Sequence, residues 1–204
     1  VRFSPGHAEA RDAGEPVRLL FAGLLRHYKG VDVLLQALPL IDRPVTLTVA
    51  GDGPEREKLR RLSARLGLEA LVRFVGRVPD ADLPDLYRGH DVFVLPAVSP
   101  AEAFGQVLVE AMLSGLPCVT TELGTGTSFV VHDQVTGRVV KPRSVLALAD
   151  ALRELAGDTG LRQRLGSAGH ARALEHFTTE RMLERVRVGY EQALARKANR
   201  YASR

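Results

Sequence analysis

Apolar residues fall along this chain in short runs separated by amphipathic stretches. The runs VRLLFA (17–22), VTLTVA (45–50), LVRFVG (71–76), DVFVLP (91–96), PCVTT (117–121) and TGRVV (136–140) are β-branched or leucine-rich and bounded by Gly, Pro or polar turns, which predicts strands. Helical spacing fills the intervals at about 30–38, 54–66, 80–88, 104–115 and 144–156. The strands are almost continuously apolar instead of alternating, as happens when helices cover both faces of a parallel sheet. The expected fold is α/β: a doubly wound, Rossmann-like parallel sheet of about six strands flanked by helices. After Asp158 the period stays helical to near the end, with Thr178 as a candidate N-cap, so extra helices close the chain. In such sheets ligands sit beyond the carboxyl ends of the strands, which directs attention to the loops after Ala22, Ala50, Leu95 and Thr121.

Composition supports one ordinary domain. The chain has 204 residues, 45% of them hydrophobic and 25% charged. A domain of that size hides roughly 70% of its unfolded surface without needing disulfides or a structural metal. The single cysteine, Cys118, excludes an intrachain disulfide framework. No apolar run approaches the roughly 20 residues that cross a bilayer. Val1 to Pro16 is polar and Gly/Pro-containing, so it is not expected to be a secretory signal. Because the first residue is not methionine, the chain is expected to be a piece of a longer polypeptide. A net charge of +4 is modest, acids interleave with the arginines, and neither zinc spacing nor an aromatic stacking platform accompanies the charge. Nucleic acid is therefore not an expected partner.

Two glycine clusters fall short of a dinucleotide fingerprint. Gly51 and Gly53 are followed by Arg56 where the third glycine belongs, and Gly124 and Gly126 by Phe129. A dehydrogenase is not expected, and the phosphate loop of common NTPases is absent from the sequence. The clusters read either as strand-to-helix turns or as places where backbone approaches a ligand closely. Asp80-Ala-Asp82 is explained by Asp80 capping a helix whose first turn carries acids, so no metal is expected there.

Two segments carry chemistry. Arg26, His27 and Lys29 stand directly before a helix that begins near Gly30 or Val31, where the helix dipole is already positive. They either splay into water or wait for a phosphate. In the second segment, Gln106, Glu110 and Ser114 recur at i, i+4, i+8 on an otherwise apolar helix from Phe104 to Gly115. That stripe either faces solvent or gives a part-buried carboxylate a bonding partner. Glu102 precedes it in the loop after a strand, and Phe104-Gly105 place backbone N–H groups at the helix start. Two separated acceptors with donors between them suit a ligand that has hydroxyls at both ends and an anion in the middle.

Glu102, Phe104, Gly105 and Glu110 form an E-x-F-G-x-x-x-x-E pattern, accompanied in order by AGLLRHYKGVD, VAGDGPE, FVGRV and ELGTGTS. Together these resemble the C-terminal half of a glycosyltransferase family 4 enzyme, from Arg2-Phe3 to about Leu194. The resemblance implies one half of a GT-B fold. Residues 1–16 would be an interdomain connection, 17–177 the Rossmann-like nucleotide-sugar domain, and 178–204 a C-terminal helix with a basic tail. It implies retaining, metal-free transfer of a hexose from a nucleoside diphosphate sugar to an acceptor hydroxyl, with no cofactor. The alternatives are a non-catalytic nucleotide-binding module and a GT-B epimerase or phosphorylase. Carried over by position, Glu110 would accept from the ribose hydroxyls, Glu102 would bond the donor sugar, and Lys29 would neutralise the departing diphosphate. The backbone of Phe104, Gly105 and Gln106 would hold sugar and phosphate, Gly23 would border the donor, and the main chain at Arg77 and Val78 would meet the base. Leu24 stands where the family usually has an arginine, and Arg26 is the nearest substitute. The acceptor-binding N-terminal domain would lie outside this chain, leaving it inactive alone. The location implied is cytoplasmic, peripheral at the inner membrane face through that other domain. GTGTSFV is similar to the loop of members that use mannose donors.

Overall fold

The computed structural model describes residues 2–6 and 15–202, and side chains as far as Leu194. Strands β1 (Val17–Ala22), β2 (Val45–Ala50), β3 (Val72–Gly76), β4 (Val92–Leu95), β5 (Cys118–Thr121) and β6 (Gly137–Val140) pair in parallel as one sheet. Their spatial order is β3-β2-β1-β4-β5-β6. The strand order reverses between β1 and β4, the place where open α/β sheets bind ligands. The strands lie within two residues of where the hydrophobic runs put them, because each apolar run is buried. Leu19, Leu20, Phe21, Phe93, Val94 and Leu95 are fully enclosed from both faces.

Helices α1 (Val31–Ala37), α2 (Arg56–Arg65), α3 (Leu83–Arg88), α4 (Gln106–Leu113), α5 (Gly126–Val130) and α6 (Val145–Gly157) form the crossovers and return. They are followed by α7 (Thr159–His176) and α8 (Thr179–Ala202). Helix α1 packs beside α2 and α6, while α4 packs beside α5 and α7, so both sheet faces are covered. Ser144 caps α6 by accepting from the Ala147 N–H, and Asp158 caps α7 by accepting from Leu161. Thr178 accepts from the Arg181 N–H at the start of α8, as its sequence position implied. Along α8, Met182, Val186 and Tyr190 stay exposed one turn apart.

Three expectations change. Residues 80–82 form a separate 3-10 turn before α3, and neither Asp80 nor Asp82 makes a side-chain capping bond. Pro84 explains the break: at the start of α3 it has no N–H to give to a preceding helical turn. Helix α5 was not foreseen, because its five residues span little more than one turn and show no period. Finally, the segment ahead of β1 is not a bare connection. Phe3 is buried in the core with its ring edge-on to Tyr87 at 5.5 Å, and Pro5 packs over Gly115. The rest of that expected connection, residues 7–14, lies outside the described residues.

Candidate active site

The carboxyl ends of β1, β2 and β3 are laced together by their loops. Gly23 N–H donates to Ala50 O at 3.0 Å, Leu25 N–H to Asp52 O at 2.8 Å, and Gly51 N–H to Gly76 O at 2.7 Å. Gly51 has φ +129°, and a Cβ there would meet the Gly23 carbonyl oxygen at 1.9 Å. Close approach of neighbouring loops, which no other residue permits, therefore accounts for this glycine cluster.

Above the laced loops opens a cavity of about 540 Å³. Gly23, Leu24, Gly51 to Gly53, Arg77 and Val78 line it together with Tyr87 and Glu110. Four expected site residues, Gly23, Arg77, Val78 and Glu110, thus meet in one place although they come from two different loops and a helix. Glu110 is half-buried and accepts a hydrogen bond on Oε2 from the Tyr87 hydroxyl at 2.9 Å. Burial raises its carboxyl pKa, while the Tyr87 hydrogen bond and the Arg2 charge pull it partly back and Asp80 pushes it up. Burial and the neighbouring Glu110 carboxylate hold the Tyr87 phenol well above its usual pKa, so it is a donor throughout the physiological range. The carboxylate on α4 thus has an internal partner on one oxygen, and Glu110 lines the cavity.

Beside Gly23 lies a second cluster. Lys29 Nζ would stand 4.0 Å from a Cβ placed on Gly23, and it forms an ion pair with Glu102. The other Glu102 oxygen accepts from the Gly105 N–H at 3.1 Å. Glu102 therefore brackets Lys29 to the start of α4, where its charge also meets the positive end of the helix. Thr125 supports the bracket by donating to Glu102 O at 2.9 Å, and Gly126 N–H donates to Ala103 O at 2.8 Å. The N–H of Gly105, expected to face a ligand, is thereby engaged within the protein. Of the first-turn N–H groups that follow, Leu108 donates to Gly105 O at 2.8 Å, while those of Gln106 and Val107 have no partner inside α4. Lys29 retains two further donor hydrogens, and each carboxylate oxygen of Glu102 a second lone pair.

The remaining site residues lie at or beyond the rim. Phe104 is 43% exposed and touches Phe177 edge-on, and Gln106 is exposed on the first turn of α4. Arg26 is exposed and does not border the cavity, whereas Leu24 does. The group of basic residues ahead of α1 is therefore split, with only Lys29 turned toward the site. Tyr87 was missed, although a tyrosine in an apolar helical pattern calls for a polar partner. Asp52, Leu83 and Val107, which also line the cavity, carry no signal in the sequence that separates them from ordinary turn and core residues.

A parallel sheet in the order 3-2-1-4-5-6 with a cavity over its carboxyl edge defines a Rossmann-like domain of GT-B type. The chain belongs to the glycosyl transferases group 1 family, whose model matches residues 7–172. It is 35% identical over 165 residues to the O-antigen chain mannosyltransferase C of Escherichia coli, covering 81% of this chain and 44% of that protein. It is 37% identical over 163 residues to the D-rhamnosyltransferase WbpZ of Pseudomonas aeruginosa, covering 80% and 42%. Among solved structures, Anabaena HepE in complex with UDP and glucose superposes with a TM-score of 0.80 at 27% identity, over 87% of this chain and 49% of that one. Sucrose-phosphate synthase of Thermosynechococcus elongatus gives 0.83 at 27% identity, over 95% and 50%. The chain thus spans about half the length of the curated relatives it matches. Among the described residues no helix is long and apolar enough to cross a membrane.

Proposed function

We propose that this chain is the donor-binding half of a retaining glycosyltransferase that moves a hexose from a nucleoside diphosphate sugar, of GDP-mannose or UDP-glucose type, to an acceptor hydroxyl. The observation that carries the reading is the adjacency of the Glu110 cavity and the Lys29–Glu102–Gly105 cluster, which share Gly23 as a common border. A nucleoside fits the cavity, with its base against the main chain of Arg77 and Val78 and its ribose hydroxyls donating to Glu110. The diphosphate then falls over Gly23 onto Lys29 and the N–H groups of Gln106 and Val107 at the start of α4. Glu102, with Phe104 and Gln106 alongside, receives the hexose. As the bond from sugar to phosphate breaks, negative charge grows on the departing oxygen, and fixed donors and a lysine already aimed there lower the barrier. The mannosyl- and rhamnosyltransferase relatives and the UDP held by HepE support this reading. The acceptor is bound by a further domain, so the chain by itself binds donor without turning it over.

Titration of the full chain with UDP, GDP, UDP-glucose and GDP-mannose tests the proposal. At a hundredfold excess over Kd, a specific ligand stabilises by about 2.7 kcal/mol, or about 5–10 °C in Tm for a domain of this size. Absence of any shift with all four compounds overturns it.

A further inference from the structure

The geometry points to Tyr87 as the positioning residue of this site, fixing one oxygen of Glu110 so that the other is aimed at the ribose hydroxyls of a nucleoside diphosphate. The inference rests on the reading of Glu110 given above and adds how its selectivity is set. Tyr87 is the largest of the fully buried side chains among the described residues. Its ring is held edge-on by Phe3 at 5.5 Å and tilted against Phe93 at 5.5 Å, so segment 2–6 and strand β4 clamp it between them. A phenol has one proton to give, and here it goes to Glu110 Oε2 at 2.9 Å. Glu110 Oε1 has no hydrogen-bond partner among the described residues. A glutamate on a helix has three rotatable bonds, and a ligand that must fix them pays rotamer entropy on binding. Tyr87 fixes them in advance. Its hydrogen bond also favours the ionised carboxylate, opposing the larger effect of burial; Arg2 and Asp80 are the other charged groups acting on Glu110.

The test compares GDP and UDP with their 2′-deoxy counterparts by calorimetry on the full chain, in the wild type, Tyr87→Phe, Glu110→Gln and the double variant. Tyr87→Phe removes only the hydroxyl and leaves the clamped ring. Whichever ribonucleotide binds better is expected to lose about tenfold in affinity on loss of the 2′-hydroxyl in the wild type, the scale of a hydrogen bond to a charged group. In Tyr87→Phe the ribonucleotide is expected to weaken by about five- to twentyfold and the deoxynucleotide far less, so that discrimination collapses. The acid limb of the affinity–pH curve should move upward in the same variant, because Glu110 then takes up its proton at higher pH. The double variant should bind like Glu110→Gln alone, and because it removes the buried charge together with its partner it remains informative if Tyr87→Phe folds poorly. Equal discrimination and an unmoved acid limb in Tyr87→Phe, with discrimination lost in Glu110→Gln, overturn the role of Tyr87 and leave the ribose reading standing. A wild type that ignores the 2′-hydroxyl, or binds neither nucleotide, overturns the ribose reading itself.

Discussion

Lys29 and Glu102, 73 residues apart in sequence, form an ion pair whose side chains are only 12% and 10% exposed. The pair joins the loop after β1 to the start of α4, and Glu102 holds Gly105 with its second oxygen. Glu102→Gln keeps the shape and the bond from Gly105 but leaves the Lys29 ammonium without its counter-charge. Stranding a fully buried charge costs about 3–5 kcal/mol, and the remaining exposure reduces the expected loss to about 1–3 kcal/mol. Lys29→Met should be similarly costly alone, and the double variant should recover part of the loss, giving a coupling of about 0.5–3 kcal/mol in urea unfolding. Strictly additive losses would show that the two residues are not an energetic unit.

For the proposed transfer reaction, Lys29→Ala should lower turnover at least about a hundredfold, since loss of one preorganised donor elsewhere costs about 2.7–4 kcal/mol of transition-state stabilisation. The assay requires the enzyme with both halves present. Near-normal turnover would remove Lys29 from the chemistry.

Glu110 should trade stability for recognition. Its folded-state pKa is raised above the ordinary 4.5, chiefly by burial, so the folded chain binds this proton more tightly than the unfolded chain does. Its contribution to stability is therefore highest below the ordinary value and declines as pH rises through the elevated one. Glu110→Gln has no such decline. Its Tm relative to wild type should climb across that window and level off at neutral pH. Nucleotide affinity should fall in the same variant. A Tm difference that does not vary with pH would show that Glu110 is not desolvated.

Gly30 and Gly67 make a matched pair of left-handed glycines, with φ of +70° and +69°. A Cβ at Gly30 would lie 2.0 Å from the Pro96 carbonyl oxygen, whereas one at Gly67 would meet nothing within 4 Å. Gly67→Ala should cost about 1 kcal/mol, the conformational penalty alone. Gly30→Ala should cost about 3 kcal/mol or more, because backbone must move, and it should disturb the adjoining Lys29. Equal losses in urea unfolding would show that the contact with Pro96 yields easily.

The sheet was legible because burial on both faces leaves the same mark on every strand, an unbroken apolar run. The start of α4 was legible because Glu102, Gly105 and Glu110 are unlike their apolar neighbours. What the sequence does not display is which polar groups consume one another. The ammonium of Lys29 goes to Glu102, the N–H of Gly105 to the same carboxylate, and one oxygen of Glu110 to Tyr87. Each of these contacts joins residues brought together only by the parallel crossovers or by a turn. Arg26 illustrates the converse: two positions after Leu24 in sequence, it is exposed and does not border the cavity that Leu24 borders. Helix α5 was missed because too few residues repeat to reveal a period.

Phe3 sits outside the sheet in sequence yet inside its core, braced on the ring that steadies Glu110. Grafting this domain into a chimera with a junction at Val17 would therefore cut away part of the cavity's rear support. A junction placed upstream of residue 2 carries the whole binding wall across intact.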